Sequence, residues 1–160
     1  MRTFEQYIRE AVDFRLGGKA RNGMREQNYK YFPSSVTELQ NLMTKLIDER
    51  ANDDDFNDID VSKIKDLSYL FVRAYNFNGD ISEWDTSNVT TMSCMFRKAE
   101  KFNQDISLWD TSKVIDMNYM FCWAESFNQD ISRWDTSNVE NMKMMFYECP
   151  IKDEYKPSFK

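Results

Sequence analysis

A stretch of 25 residues occurs three times in succession, beginning at Phe77, Phe102 and Phe127. Residues 59–71, IDVSKIKDLSYLF, are a degenerate fourth copy placed one period earlier. A fixed period of this length indicates stacked supersecondary units, none of which buries its apolar face alone. The repeat therefore predicts one core that is shared between neighbouring copies.

Two patterns alternate inside each copy. A short extended segment ends at Trp84, and Asp85-Thr86-Ser87-Asn88 then offers side-chain oxygens for free N–H groups. A helically spaced apolar stripe follows. The residues expected to point inward are Phe77, Ile81, Trp84, Val89, Met92, Met95 and Phe96, together with their equivalents in the other copies. Strand, cap and short helix in each period predict an α/β repeat solenoid, a short leucine-rich-repeat-like right-handed coil with parallel strands and an N-terminal helical cap.

The chain divides into three parts. Residues 1–50 form the predicted helical N-terminal cap, with helices over 4–16 and 36–50 and a basic loop at 17–33 that is either a surface loop or a partner-binding arm. Ser35 and Glu38 form a capping-box pattern before the second helix. Residues 51–151 hold the four repeats, the first degenerate. In the tail, 152–160, either Tyr155 and Phe159 fold back over the last repeat, or that end meets another protein or a second copy.

Charge and composition exclude several functions. The formal net charge is −6, and residues 34–160 hold 14 Lys and Arg against 23 Asp and Glu, so we expect no direct nucleic-acid binding by the repeats. The chain has no histidine, no nucleophile motif and no phosphate-binding loop, so we expect no enzyme and no cofactor. No apolar run is long enough for a membrane span. The cysteines Cys94, Cys122 and Cys149 are expected to be reduced thiols.

Metal binding is not expected. The acidic run at 51–60 resembles a calcium loop, but that loop requires glycine and glutamate where Asp58 and Ile64 stand. The repeated aspartates stack in two rows, Asp80, Asp105 and Asp130 and then Asp85, Asp110 and Asp135. We interpret these rows as acceptors of backbone N–H groups, and a ladder of calcium ions is the alternative.

The repeat pattern FNxDISxWDTSNVxxMxxMFxxA closely resembles the BspA-type leucine-rich repeats, in the subgroup known from mycoplasma surface lipoproteins as the DUF285 repeat. The resemblance covers residues 52–151. It implies a leucine-rich-repeat solenoid that contacts other proteins, often in adhesion at bacterial surfaces. The lead-in at residues 57–71 also looks like compact members from gut bacteria and their phages that are not exported.

Positions that vary between copies predict the binding surface. One row is Glu83, Leu108 and Arg133, and the third copy in the stack adds Ile115, Tyr119 and Trp123, followed by Tyr147 in the last. Trp, Tyr and Arg beside aliphatic residues are typical of binding hot spots.

These residues predict a non-catalytic module that binds a partner protein whose identity the sequence does not give. The alternatives are a phage or mobile-element inhibitor that mimics nucleic acid and blocks a bacterial defence nuclease, and a fragment of a surface adhesin. We expect a cytoplasmic protein if the chain is complete and a cell-surface protein if a signal sequence was removed. We also expect a monomer, or a dimer that forms through the C-terminal coil.

Overall fold

A computed structural model describes residues 29–159. This part contains one α-helix, α1 (Val36–Glu49), and one 3₁₀ helix (Asp153–Tyr155). It contains no β-strand, only five isolated parallel bridges. The predicted α/β repeat solenoid with parallel strands is therefore wrong for residues 29–159, and the leucine-rich-repeat architecture is not supported. The helix predicted over 4–16 and most of the basic loop 17–33 lie outside the described residues.

The helix α1 confirms the prediction for residues 36–50, and it ends one residue earlier. The Ser35 hydroxyl oxygen accepts the N–H of Glu38 at 3.2 Å, as an N-cap does. The Glu38 carboxylate does not complete a capping box with Ser35, because it accepts both the N–H and the hydroxyl of Ser34 instead. These hydrogen bonds, the backbone one first, lower the pKa of Glu38. The buried side chains of α1 are Leu39, Met43 and Leu46.

The predicted helix within each repeat is absent because tight turns take its place. The N–H of Met95 donates to Met92 O, and the N–H of Ala99 donates to Phe96 O. Cys94 and Lys98 have φ of 55° and 62°, in the left-handed region that interrupts a right-handed helix. The equivalent residues of the other repeats share this conformation: Tyr69, Arg73, Tyr119, Trp123, Met144 and Glu148. The apolar spacing thus marks the buried side of a series of turns.

Alternate amides in this turn segment bond to the next repeat. The N–H groups of Met92, Cys94, Phe96 and Lys98 donate to the carbonyls of Asp116, Asn118, Met120 and Cys122, each at 2.9 Å. The same four bonds join residues 67–73 to 91–97 and residues 117–123 to 141–147. Because every second residue also closes a turn, the backbone does not extend into a strand.

Side chains make many of the remaining connections between repeats. The indole N–H of Trp109 donates to Ile81 O at 3.1 Å, and Thr111 Oγ1 donates to Asp135 O at 3.0 Å. Asn103 Oδ1 accepts the N–H of Asn128 at 2.9 Å. Equivalent bonds recur at other copies, including those of Trp84, Trp134, Thr86 and Asn78. Side-chain hydrogen bonds therefore form many of the connections between repeats that backbone hydrogen bonds form between the strands of a sheet.

Three columns of aromatic rings fill the core. Phe71, Phe96, Phe121 and Phe146 stack with centroids 5.5, 5.5 and 5.9 Å apart. Phe77, Phe102 and Phe127 form the second column, and Trp84, Trp109 and Trp134 form the third. The positions predicted to point inward are all buried in the second and third repeats, which confirms the prediction there. In the last repeat the prediction is wrong for Met142, which is exposed, and Val139 and Phe146 are only partly buried. Each buried ring contributes about 1.5–3 kcal/mol to stability.

The two ends of the stack are stabilised by different contacts. At the first end, Arg50 at the close of α1 donates to both carboxylate oxygens of Asp58, at 3.1 and 2.9 Å. At the last end, the tail folds back: Ile131 N–H donates to Tyr155 O, and Thr136 Oγ1 donates to Ser158 O. Tyr155 and Phe159 pack against the core. The tail therefore bonds to Ile131 and Thr136 of the last copy, whereas residues 140–148 are largely exposed.

Candidate protein-binding surface

The first predicted row, Glu83, Leu108 and Arg133, is exposed along its whole length. Leu108 is 88% exposed, the largest value among the large apolar residues that are exposed in residues 29–159. Leu108 and Arg133 line one shallow depression together with Asp105, Ser107, Gln129 and Asp130. The row therefore presents a single apolar side chain among charged and polar groups.

The aspartate rows are hydrogen-bond acceptors, as predicted, although they cap turns and not helices. The Oδ1 atoms of Asp80, Asp105 and Asp130 accept the N–H of the serine two residues later, at 2.9–3.0 Å. Asp85, Asp110 and Asp135 do the same at 2.9–3.0 Å. Bonds from Ser112, side chain first, lower the pKa of Asp110, and those from Ser132 lower the pKa of Asp130. Within residues 29–159, no group of three or more Asp, Glu or Cys side chains is placed to hold a metal ion.

A second exposed group contains the predicted aromatic residues. The rings of Trp123 and Tyr147 meet edge to face with centroids 5.8 Å apart. The backbone N–H of Trp123 donates to the backbone carbonyl of Tyr147 at 2.9 Å. The Arg97 guanidinium lies 5.6 Å from the centre of the Tyr119 ring. Trp123 is 40% exposed and Tyr147 is 44% exposed. We call Arg97, Tyr119, Trp123 and Tyr147 the aromatic patch.

The row of Glu83, Leu108 and Arg133 and the aromatic patch do not form one cluster. No hydrogen bond, ion pair or ring contact found in the described part of the chain links Leu108 or Arg133 to the aromatic patch. Ile115 is 44% exposed, and its backbone bonds to Thr90 and Glu140, whereas its side chain makes no ring contact with the patch. Within the aromatic patch, two side-chain contacts are present, Arg97 with Tyr119 and Trp123 with Tyr147.

One exposed residue of the last repeat differs from the sequence interpretation, which placed its position in the core. Met142 is 42% exposed, whereas its counterparts Leu67, Met92 and Met117 are fully buried. Met144 is also 42% exposed, at a position that varies between repeats and carries the exposed Tyr69 in the first one. The sequence carried a signal for this exposure, because residues 152–160 do not continue the repeat pattern. We call residues 140–148, which contain both methionines, the terminal edge.

The family model described as "Mycoplasma protein of unknown function, DUF285" matches residues 34–156. The chain belongs to this family. The match confirms the resemblance inferred from the repeat and extends it over α1 and most of the tail. Searches of curated proteins and of solved structures found no match.

The cysteines of this DUF285 protein are free thiols, as predicted. Cys94 and Cys122 are buried, and Cys149 is half-buried. Burial raises the pKa of the Cys149 thiol to about 11 and also raises that of Cys122. Thiols with raised pKa values are mostly protonated at neutral pH and are weak nucleophiles.

The longest helix in residues 29–159 is α1, with 14 residues. No helix in this range has both the length and the apolar character needed to cross a bilayer.

Proposed function

We propose that this DUF285 protein is a non-catalytic interaction module that binds a partner protein through the aromatic patch. The observation that carries the proposal is the exposed contact of Trp123 with Tyr147, and a second contact of the same kind of residues joins Arg97 to Tyr119. Trp, Tyr and Arg are the residue types enriched where protein interfaces concentrate their binding energy.

The patch is also held in place before any partner arrives. Trp123 and Tyr147 belong to adjacent repeats, and a backbone hydrogen bond joins them directly. Phe121 and Ala124, which flank Trp123 in the sequence, are fully buried. Because a rigid aromatic side chain loses little conformational entropy on binding, a preorganised patch gains affinity at low cost.

The first test compares binding by wild type and by Trp123→Ala. The protein is immobilised, a bacterial lysate is passed over it, and a retained protein is identified, purified and titrated. We expect Trp123→Ala to weaken its binding by about 2 kcal/mol, or roughly thirtyfold, because the variant removes the largest ring of the patch.

Tyr75→Ala is the matched control, since Tyr75 is an exposed aromatic residue of the first repeat outside the patch. Its affinity is expected to equal that of wild type. Equal affinities for Trp123→Ala and wild type, with both proteins folded by circular dichroism, would exclude the patch as the binding surface.

The Leu108→Asp and Arg133→Glu variants separate the two exposed rows. We expect both to bind as wild type does. If they lose binding while Trp123→Ala keeps it, the contact lies in the Leu108 row. A steep loss of association rate with added salt would indicate a contact dominated by charge, which an aromatic patch does not produce.

A further inference from the structure

The terminal edge carries a row of backbone donors without acceptors. The N–H groups of Met142, Met144, Phe146 and Glu148 donate to no atom within residues 29–159. Their equivalents one repeat earlier are all bonded, and the Met117 N–H, for example, donates to Asn141 O at 2.8 Å. A row of unpaired N–H groups on an edge is a template for pairing with another chain.

The first repeat carries the complementary row of acceptors. The carbonyls of Asp66, Ser68, Leu70 and Val72 receive no hydrogen bond from the described part of the chain. Their equivalents in the second repeat, at Thr91, Ser93, Met95 and Arg97, each accept an amide of the repeat before. We call residues 65–73 the first edge.

The two edges match in register. Each bond in this segment runs from an amide to the carbonyl 24 residues further along, so the free amides at 142, 144, 146 and 148 require acceptors at the repeat position that 66, 68, 70 and 72 occupy. We propose that a second copy of this chain docks its first edge on the terminal edge, in the place that a fifth repeat would take.

Charged side chains at both ends of the edges support this arrangement. In the docked register, Glu140 of one copy lies beside Lys65 of the next, and Glu148 lies beside Arg73. All four side chains are exposed in the single chain. A two-fold arrangement of two terminal edges would place donors opposite donors, so the register requires a head-to-tail contact.

The contact has a limited area because each edge is already partly covered within its own chain. Leu67 and Phe71 of the first edge are buried, and the tail lies over the neighbouring part of the last repeat. Small contacts are typical of weak, reversible association. A head-to-tail contact that does not close into a ring continues into longer oligomers as concentration rises. This inference uses a different part of the molecule from the aromatic patch and does not depend on it.

Charge-reversal variants test the proposal by sedimentation velocity over a range of concentrations. Wild type is expected to self-associate in a concentration-dependent way that continues past the dimer. Glu148→Arg and Arg73→Glu each place like charges at every junction, so each alone is expected to self-associate at least about tenfold more weakly.

The decisive experiment measures self-association in an equimolar mixture of the two variants. In the mixture, the introduced arginine at 148 of one chain meets the introduced glutamate at 73 of the next, and the native Glu148 meets the native Arg73. Every junction then pairs opposite charges, so association is expected to return to within about threefold of wild type. Circular dichroism of each variant verifies that it folds. A wild type that stays monomeric at about 1 mM, or one that stops at a dimer, would overturn the proposal.

Amide hydrogen exchange locates the contact. The amides of Met142, Met144, Phe146 and Glu148 are expected to exchange fast in dilute wild-type protein and more slowly at high concentration. The Met117 amide, already bonded within the chain, is expected to exchange equally at both concentrations. Association that leaves the four edge amides unprotected would also contradict the proposal, because the second copy would then bind elsewhere.

Discussion

The middle repeats and the last repeat have nearly the same sequence and different burial. Met92 and Met117 are 0% exposed, whereas Met142, at the equivalent position, is 42% exposed. Phe96 and Phe121 are fully buried, and Phe146 is only partly buried. The difference shows that the following copy buries this side of a repeat, as expected when stacked units share one core.

The two sides of a repeat differ in the direction of their hydrogen bonds. The amides of the turn segment donate to the following repeat, whereas the tryptophan indoles donate to the preceding one. The last repeat therefore keeps its indole bond, whereas its alternate amides at 142, 144, 146 and 148 have no acceptor within residues 29–159. Burial and bonding in the last repeat are lost only where they depend on a repeat that comes after it.

The largest contrast is expected between Met117→Lys and Met142→Lys. A lysine at position 117 buries an unpaired ammonium group in the core and is expected to reduce the free energy of unfolding by more than about 3 kcal/mol. The same change at exposed position 142 is expected to cost less than about 0.5 kcal/mol. Urea denaturation of both variants measures the contrast, and equal losses would show that the last repeat is covered in solution.

The first end of the stack differs from the last repeat because an ion pair between Arg50 and Asp58 stabilises it. Arg50→Ala leaves the partly buried Asp58 carboxylate with only Lys30 nearby and is expected to reduce stability by about 1.5–3 kcal/mol. Burial disfavours the Asp58 carboxylate, but the hydrogen bonds from Arg50 and Lys30 outweigh it and lower its pKa.

A lowered pKa gives this contribution a definite pH dependence. Since the folded state releases the Asp58 proton more readily than the unfolded chain does, the stabilisation is complete above the ordinary aspartate pKa of about 4 and is lost as pH falls through the lower, folded value. The stability difference between wild type and Asp58→Asn should therefore shrink below about pH 4. A difference that stays constant from pH 6 to pH 2 would show that the charge of Asp58 contributes nothing.

We expect Trp109→Phe and Trp134→Phe to lose the same amount of stability as each other, and less than Met117→Lys loses. Each change keeps a ring in the column but removes the indole N–H, which leaves the buried carbonyl of Ile81 or Ile106 without this donor. We expect a loss of about 1–3 kcal/mol for each variant by thermal or urea denaturation. A much smaller loss for Trp134→Phe would mean that the last repeat is loosened on both sides.

The smallest effect is expected for Leu108→Ser. Leu108 is almost entirely exposed, so removing its side chain is expected to change stability by less than about 0.5 kcal/mol. Ile106→Ala, two residues earlier and fully buried, is the matched control, with an expected loss of about 2–5 kcal/mol. A large loss for Leu108→Ser would indicate that this row packs against something in solution.

Much of the molecule could be predicted from residue patterns. The period of the repeat identified the family and the inward-facing Phe, Trp and Met residues, and the Ser35 cap with its apolar stripe identified α1 within one residue. For the candidate surface, the variable positions led to Trp123 and Tyr147, whereas Met142 was missed because its position is core in every other copy. The function itself stays a prediction.

What the sequence determined by itself is periodicity: which residues recur, which are apolar, and therefore which share a core. Only the tertiary structure decided the backbone that carries them. The spacing of Val89, Met92, Met95 and Phe96 suits a helix, yet Cys94 and Lys98 lie in the left-handed region and alternate amides bond to the next repeat. A local helix and a bond to the neighbouring repeat compete for the same N–H groups, and the outcome depends on a neighbour 25 residues away.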